Sequence, residues 1–142
     1  MNKDRTMTTR KAGPDLDAEV AEKVMGWTLA DRKAMGWGDG PLVWRTGQEE
    51  NPTQQDFRPS TDPARAWLVR VKMSELGWAS QDQLTWMGWL AESARPWGYS
   101  IWFERWVDHE KVSHHAHVPN CADAPLAVSL AALQAVEAAC PA

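Results

Sequence analysis

Three histidines near the C-terminus form the densest group of ligand-type side chains in the sequence. His114, His115 and His117 fall in a segment predicted to be the returning strand of a hairpin. Alternation then places His115 and His117 on one face of the strand and His114 on the other. A His-x-His pair can give two nitrogens to a metal, but a catalytic metal also needs an open position and a third ligand, for which the candidates are Asp108, His109 and Glu104. The alternatives are a hydrogen-bonded or solvated face and a contact to a ligand. We predict neither a bound metal nor a cofactor.

The residues from Arg58 to Thr61 are a candidate anion site. Hydroxyl groups beside a helix N-terminus can hold a phosphate, and the Arg58 guanidinium adds positive charge. Asp62 brings a negative charge to the same place, however, and Pro63 lacks a backbone donor. Capping is the preferred interpretation, because Asp is a favoured N-cap and Pro a favoured first helical residue.

The sequence carries no catalytic signature that we recognise. It lacks the nucleophile elbow, the H-E-x-x-H zinc motif, the C-x-x-C motif and both glycine-rich phosphate loops. Cys121 and Cys140 make no disulfide framework, and we expect both to stay reduced. The acidic pair Glu49-Glu50 is interpreted as part of a solvated loop. We therefore expect a binding protein rather than an enzyme.

Tryptophan is the abnormal component of the composition, with ten Trp against one Tyr and two Phe. Gly-Trp recurs at 26–27, 36–37, 77–78 and 88–89. Glycine in the left-handed position after a helix explains two of these pairs, with Trp27 and Trp78 folding back on their helices. Other indoles are candidates for a recognition surface, since exposed Trp is favoured at binding sites. The predicted ligand contacts are Trp44, Arg58, Trp102, Trp106, His115 and His117.

Length and charge restrict the class of protein. The 142 residues suit one domain, which we place at 14–142 after a polar tail at 1–13. A net charge of −4 disfavours general nucleic-acid binding but leaves a basic protein partner and a homo-oligomer open. The N-terminus lacks a secretory signal, and the apolar stretch 126–136 is too short to span a bilayer. We expect a cytoplasmic protein without membrane contact.

Three helices are predicted from spacing and end signals. The first opens at Pro14 with Asp15 as a cap and ends at Gly26. The second opens at Pro63 and ends before Gly77, and the third runs from Asp123 to about Ala139. The spacing of apolar residues predicts a buried stripe on the second helix, made of Ala64, Trp67, Leu68, Val71 and Leu76. The third is apolar nearly all round, which predicts burial.

The remaining segments complete the expected fold. Ser80 with Gln83 resembles a capping box, which favours a fourth helix over 80–94, with Trp86 and Trp89 on one face. Residues 28–40 look like a loop, and Leu42 to Trp44 like the first strand. Trp97–Val107 and Lys111–Val118 form a hairpin through the turn Asp108–Glu110. The predicted class is α+β: a layered sandwich with a small antiparallel sheet of about three strands and three to four helices.

Three segments together resemble the phage ABA sandwich domain family. They are Leu16–Trp27, Phe57–Trp67 and Ala122–Leu133, and they frame most of the chain. The resemblance implies a layered α/β/α-type domain and a phage or prophage source, without an established activity. The sequence departs from the family pattern at 78–96, which is longer and richer in Trp, and in the histidine cluster.

These observations leave three functional hypotheses. The first is a non-enzymatic phage accessory protein that sequesters a nucleotide-type host immune signal, since indole faces can stack on bases. The second is an inhibitor or assembly module acting on a host protein. The third is a metal-dependent hydrolase that uses the histidine strand.

Overall fold

The computed structural model describes residues 11–30, 42–47, 52–86 and 97–139, and over these ranges the chain has the predicted α+β architecture. The three α-helices within these ranges are α1 (Pro14–Glu19), α2 (Pro63–Glu75) and α3 (Ala124–Ala139). A π-helical turn, Val20–Val24, continues α1, and a 3₁₀ turn, Cys121–Asp123, precedes α3. The strands are β1 (Thr28–Ala30), β2 (Val43–Arg45), β3 (Ala79–Trp86), β4 (Trp97–Val107) and β5 (Glu110–Val118).

The main sheet has the order β3-β4-β5, with both neighbouring pairs antiparallel. The predicted hairpin is confirmed, but its turn has two residues because Glu110 already pairs with Val107, and the register pairs Phe103 with His114. Asp108 and His109 both have positive φ, 52° and 70°, as the two central residues of a type I′ turn require. That turn matches the right-handed twist of the strands and so sets the register of the whole β4–β5 ladder.

The expected helix over 80–94 is wrong where the structure describes it. Ala79–Trp86 is an edge strand whose eight residues all pair with β4, from Ala79 opposite Glu104 to Trp86 opposite Trp97. The Ser80–Gln83 spacing is therefore not a capping box, and Trp86 is not on a helix. Polar residues of weak strand propensity adopt this conformation because the ladder with β4 supplies their backbone hydrogen bonds.

The segment expected to be a loop after the first helix contains a short strand instead. Thr28–Ala30 pairs antiparallel with β2, which makes Val43–Arg45 the second strand rather than the first. β2 is also held from its other side, since the Trp44 N–H donates to the Pro52 carbonyl at 2.8 Å. A strand of three residues is too short to show the alternation of apolar and polar residues by which strands are predicted.

Both predicted Gly-Trp helix ends within the described residues are confirmed. At the end of α2, Gly77 has φ 95°, and the Trp78 N–H donates to the Met73 carbonyl at 2.9 Å, as in a Schellman motif. At Gly26, φ is 74° and the Trp27 N–H reaches the Ala21 carbonyl at 2.9 Å. This second loop is one residue wider because the helix has already opened into its π turn.

The helix starts follow the prediction at α2 but not at α1. Asp62 caps α2 by accepting a hydrogen bond from the Ala64 N–H at 3.0 Å, with Pro63 as the first helical residue. The N-cap of α1 is Gly13, which has no side chain to cap with, and Asp15 lies in the first turn. An acidic first turn still favours the helix dipole.

The apolar stripe predicted for α2 faces outward. The helix buries Ala66, Val69 and Met73, whereas Trp67 and Val71 on the predicted stripe are exposed. Both sides of α2 carry apolar residues, so the 3.6-residue period alone does not select the buried one. The outward apolar side is consequently left free of the core.

The core lies around α3, which is buried as expected. α3 packs against β4 and β5 on one side and against α2 and the π turn on the others. Alanines at 127, 131, 132 and 135 allow close approach, and Trp44, Phe57, Ile101 and Phe103 fill the remaining volume. By length and composition alone, Cys121–Ala139 could cross a membrane, a test that the core helix of a soluble protein also passes.

Several predicted features lie outside the described residues. They are the Gly-Trp pairs at 36–37 and 88–89, Glu49-Glu50, Cys140 and most of the tail at 1–13. Cys121 is a free, half-buried cysteine.

Candidate functional site

The face of the main sheet that points away from the helices carries the candidate site. On β4, Tyr99, Ile101 and Phe103 point into the core, so the residues between them point to the opposite side. We call this side the outer face. From β3, β4 and β5 it is built by Gln81, Ser100, Trp102, Glu104, Trp106, Lys111, Ser113, His115 and His117.

Four cross-strand pairs follow one another along the outer face: Ser100–His117, Trp102–His115, Glu104–Ser113 and Trp106–Lys111. The first is Ser100 with His117, whose Oγ and Nδ1 atoms are 2.7 Å apart. The second is Trp102 with His115, whose rings stack at a centroid distance of 4.7 Å and an interplanar angle of 22°. His115 and His117 therefore share one face, as alternation predicts, and each is engaged by the strand beside it.

A carboxylate network occupies the middle of the outer face. Glu104 accepts a hydrogen bond from Gln81 Nε2 at 2.9 Å, and its other oxygen is 2.9 Å from Lys111 Nζ. The hydrogen bond from Lys111 lowers the pKa of Glu104, with further hydrogen bonds from Ser113 and Gln81 acting in the same direction. Glu104 is therefore ionised at neutral pH, and Lys111 balances its charge.

Trp106 ends the row and is the most exposed of the large apolar side chains described. It is 70% exposed and stands opposite Lys111 in the register. At roughly 3.4 Å per strand residue, its Cα lies about 14 Å from that of Trp102. An indole with this exposure offers a full aromatic face to a planar ligand.

The structure brings four of the six predicted ligand contacts together, namely Trp102, Trp106, His115 and His117. Trp44 is 1% exposed and belongs to the core, so it presents no surface to a ligand. Its short strand is buried because β1 and residues 52–54 pair with it on either side.

Arg58 also lies apart from the outer face. Its positive charge acts on the buried Asp17, to which the Ser60 N–H donates at 2.9 Å. The Ser60 hydroxyl is already used, because it accepts a hydrogen bond from the Gly13 N–H at 3.0 Å. With Asp62 capping α2, the polar groups of this loop serve the fold, as the capping interpretation predicts.

His114 points to the core side, where it meets a separate aromatic cluster. Its ring packs edge-on against Trp78 at 5.6 Å, and the Arg105 guanidinium lies 4.5 Å from the centre of the Trp78 ring. Burial lowers the pKa of His114, and the charge of Arg105 lowers it further. A neutral imidazole in this position is a packing residue.

Sequence reasoning missed Gln81, Ser100 and Lys111 as members of the site, and it named Glu104 only as a candidate third metal ligand. Finding Ser100 and Lys111 required the register set by a two-residue turn at 108–109, whereas the predicted turn Asp108–Glu110 would shift the pairing by one residue. Gln81 could not be predicted as a member of the site because residues 80–94 were expected to form a helix and not a strand.

The groups on the outer face can be compared with those that catalysis and metal binding require. Ser100 and His117 form a hydroxyl–imidazole pair, but among the described residues no carboxylate is bonded to His117 to orient it as a base. In the same part of the chain, no group of three or more His, Cys, Asp or Glu side chains is placed to hold a metal ion. Stacked rings, amides and hydroxyls are the groups that read planar heterocycles.

Comparison with known proteins gives no further guide to this site. No protein-family model, no curated protein and no solved structure matches the chain. The resemblance to the phage ABA sandwich domain family rests on the three sequence segments alone.

Proposed function

We propose that the protein is a non-enzymatic binding protein that holds a nucleotide-type small molecule on the outer face. The observation that carries the proposal is the row formed by the Trp102–His115 stack and the 70%-exposed Trp106 on one face of one hairpin. Stacking of a base on an aromatic side chain contributes about 1–3 kcal/mol, and hydrogen-bonding groups beside it add selectivity.

The charges on the outer face favour a small ligand over a polymer. Glu104 is an ionised carboxylate between the two indoles, and it repels a phosphate placed directly over it. Its oxygens and the Gln81 amide instead suit the amino and carbonyl edge of a base. The net charge of −4 further opposes long tracts of phosphate.

The biological setting of the proposal comes from the sequence resemblance. A phage protein of this kind would act in the host cytoplasm, where tight stoichiometric binding removes a host nucleotide immune signal. Sequestration requires that the ligand leave the protein unchanged. Mass spectrometry of the ligand released by heat therefore separates a binding protein from a hydrolase.

Calorimetry with cyclic dinucleotides and ADP-ribose-derived signals tests the proposal. We expect one class to bind at a stoichiometry of one per chain, with W106A weakening binding by about 5- to 150-fold, equivalent to ~1–3 kcal/mol. W67A is the matched control, because Trp67 is 60% exposed on α2, away from the outer face. If no member of the panel bound, or if W106A and W67A lost the same amount of binding affinity, the proposal would be overturned.

A different observation favours the second candidate, a protein–protein module. Trp86 and Trp97 form an edge-to-face pair at 5.3 Å on the core side of the sheet, and both are substantially exposed, as is Leu84 beside them. Such apolar groupings are typical of protein interfaces. Capture of a stoichiometric host protein that W97S abolishes and W106A does not would favour this candidate over the first.

A further inference from the structure

A pocket of about 620 Å³ lies between α2 and the segments around Trp27 and Pro52. Its volume falls in the range of small-molecule sites, roughly 300–1,000 Å³. The pocket is separate from the outer face, since no lining residue in the described part of the chain comes from β3, β4 or β5.

Part of the pocket wall is apolar, and polar and charged side chains line the rest. From α2 it is lined by Leu68 and Val71, which belong to the outward apolar side of that helix. Opposite them are Met25 and Trp27, and the Trp27 ring is fixed against Phe57 at 4.7 Å. The exposed apolar side of α2 thus faces a second, pre-formed apolar wall.

Two opposite charges that line the pocket have no side-chain partner among the described residues. Neither the Arg65 guanidinium nor the Asp56 carboxylate makes a hydrogen bond or ion pair with its side chain in the described part of the chain. Lys72 and Glu75, which also line it, form a loose pair at 3.9 Å. The uncompensated groups are therefore one cation on α2 and one anion on the loop at 56.

We propose that this pocket binds a zwitterion with a large apolar body, namely a short apolar peptide with free termini. The forked guanidinium of Arg65 receives the peptide carboxylate, and Asp56 receives the ammonium group. The apolar side chains of the peptide lie between Leu68, Val71 and the Trp27 ring. A ligand with both charges uses both unpaired groups, whereas a simple anion would meet Asp56 unfavourably.

Three related probes test the assignment by calorimetry on the full chain. Phe-Phe has both charges, N-acetyl-Phe-Phe lacks the cation, and Phe-Phe amide lacks the carboxylate. We expect Phe-Phe to bind at least tenfold more tightly than either analogue. R65Q should remove its advantage over the amide, and D56N should remove its advantage over the acetylated peptide.

Matched variants separate the site from general effects. K72Q removes one positive charge from the same helix and the same rim, but from a residue that already has a partner, so we expect less than a threefold change. L68Q should weaken all three probes, and W106A should weaken none. Circular dichroism confirms that each variant retains the fold.

The outcomes decide the assignment in both directions. Phe-Phe binding weaker than about 1 mM, equal binding of the three probes, or equal effects of R65Q and K72Q would overturn it. Loss of peptide binding in W106A would do the same by moving the ligand to the outer face. Failure of the nucleotide panel on the outer face leaves this result unaffected.

Discussion

Asp17 and Ser60 are joined by a hydrogen bond across 43 residues, with the Ser60 N–H donating to Asp17 Oδ1 at 2.9 Å. Both residues are buried, and the Ser60 hydroxyl in turn accepts from the Gly13 N–H. The start of α1 is thereby fastened to the loop that leads into α2. The segments Leu16–Trp27 and Phe57–Trp67 meet at this point, and what joins them is a structural contact.

The Asp17–Ser60 contact predicts different costs for two substitutions. D17A leaves a buried N–H without an acceptor, so we expect the free energy of unfolding to fall by about 1–3 kcal/mol. D17N keeps a carbonyl oxygen in place and removes the buried charge, so it should cost less than D17A. Urea denaturation of the two variants measures the difference, and equal losses would argue that the hydrogen bond contributes nothing.

The same carboxyl predicts the direction of a pH effect. Burial raises the pKa of Asp17, against the opposing effects of the Ser60 hydrogen bonds and the Arg58 charge. A raised pKa means that the native state holds this proton more tightly than the unfolded state does. Its contribution is therefore full below the unfolded pKa and is lost as pH rises through the folded value. Unfolding of D17N should lack this component, and identical pH profiles for D17N and the parent would contradict the assignment.

Gly77 predicts a backbone effect that can be measured in isolation. Its φ of 95° disfavours any residue with a Cβ, yet an added Cβ would meet no heavy atom within 4 Å. We expect G77A to lower the free energy of unfolding by about 1–2 kcal/mol, and G77N to cost less because Asn tolerates this region. If G77A were neutral in chemical denaturation, the Schellman geometry at Trp78 would be wrong.

Local signals predicted the parts of the fold that local chemistry determines. Asp62 with Pro63 fixes the start of α2, Gly77 fixes its end, and alternation around Ile101 identifies β4 and its hairpin partner. Each of these depends on a few neighbouring residues and on backbone conformations that those residue types prefer.

The features of the fold and the site that could not be predicted depend on residues distant in the chain. Ala79–Trp86 is a strand because β4 pairs with it, and its polar composition resembles a capped helix until that partner is known. The buried side of α2 is chosen by its packing on α3, and Ala66 and Val69 belong to the same core cluster as the alanines of α3. At the site, alternation along the strands correctly placed His115, His117 and Trp102 on one face. Trp44 was wrongly predicted to contact a ligand because its burial depends on tertiary packing.

The β4–β5 turn predicts a stabilising substitution. His109 has φ 70°, a conformation that costs a non-glycine residue roughly 1–2 kcal/mol, and Asn-Gly is the preferred type I′ pair. We expect D108N/H109G to raise the free energy of unfolding by about 0.5–1 kcal/mol, after the entropy lost by glycine is allowed for. H109A, which keeps the Cβ, serves as the control in thermal unfolding and should give no gain.

Ser129 predicts a gain from removing a polar group. Its hydroxyl is fully buried in α3 and has no hydrogen-bond partner among the described residues. S129A deletes this unsatisfied group and improves helix propensity, so we expect the free energy of unfolding to rise by up to ~1 kcal/mol. S129V, which adds volume to a packed position, should destabilise the protein instead. A clear loss of stability in S129A would show that the hydroxyl is needed.

The single tyrosine allows a titration that reports on one site. The Tyr99 hydroxyl donates to Asp82 Oδ2 at 2.9 Å, and Arg70 Nη1 donates to the same oxygen at 3.0 Å. Burial raises the pKa of Tyr99 well above its ordinary range, and the hydrogen bond to Asp82 and the carboxylate charge raise it further. Because the folded pKa exceeds the unfolded one, this contribution to stability is present below the unfolded pKa and lost as pH rises toward the folded value.

Phenolate absorbance at alkaline pH should therefore appear together with unfolding in the parent. D82N removes the carboxylate charge, so its phenolate should form at lower pH. A phenolate that forms in the native parent at the ordinary pKa would contradict the network around Asp82.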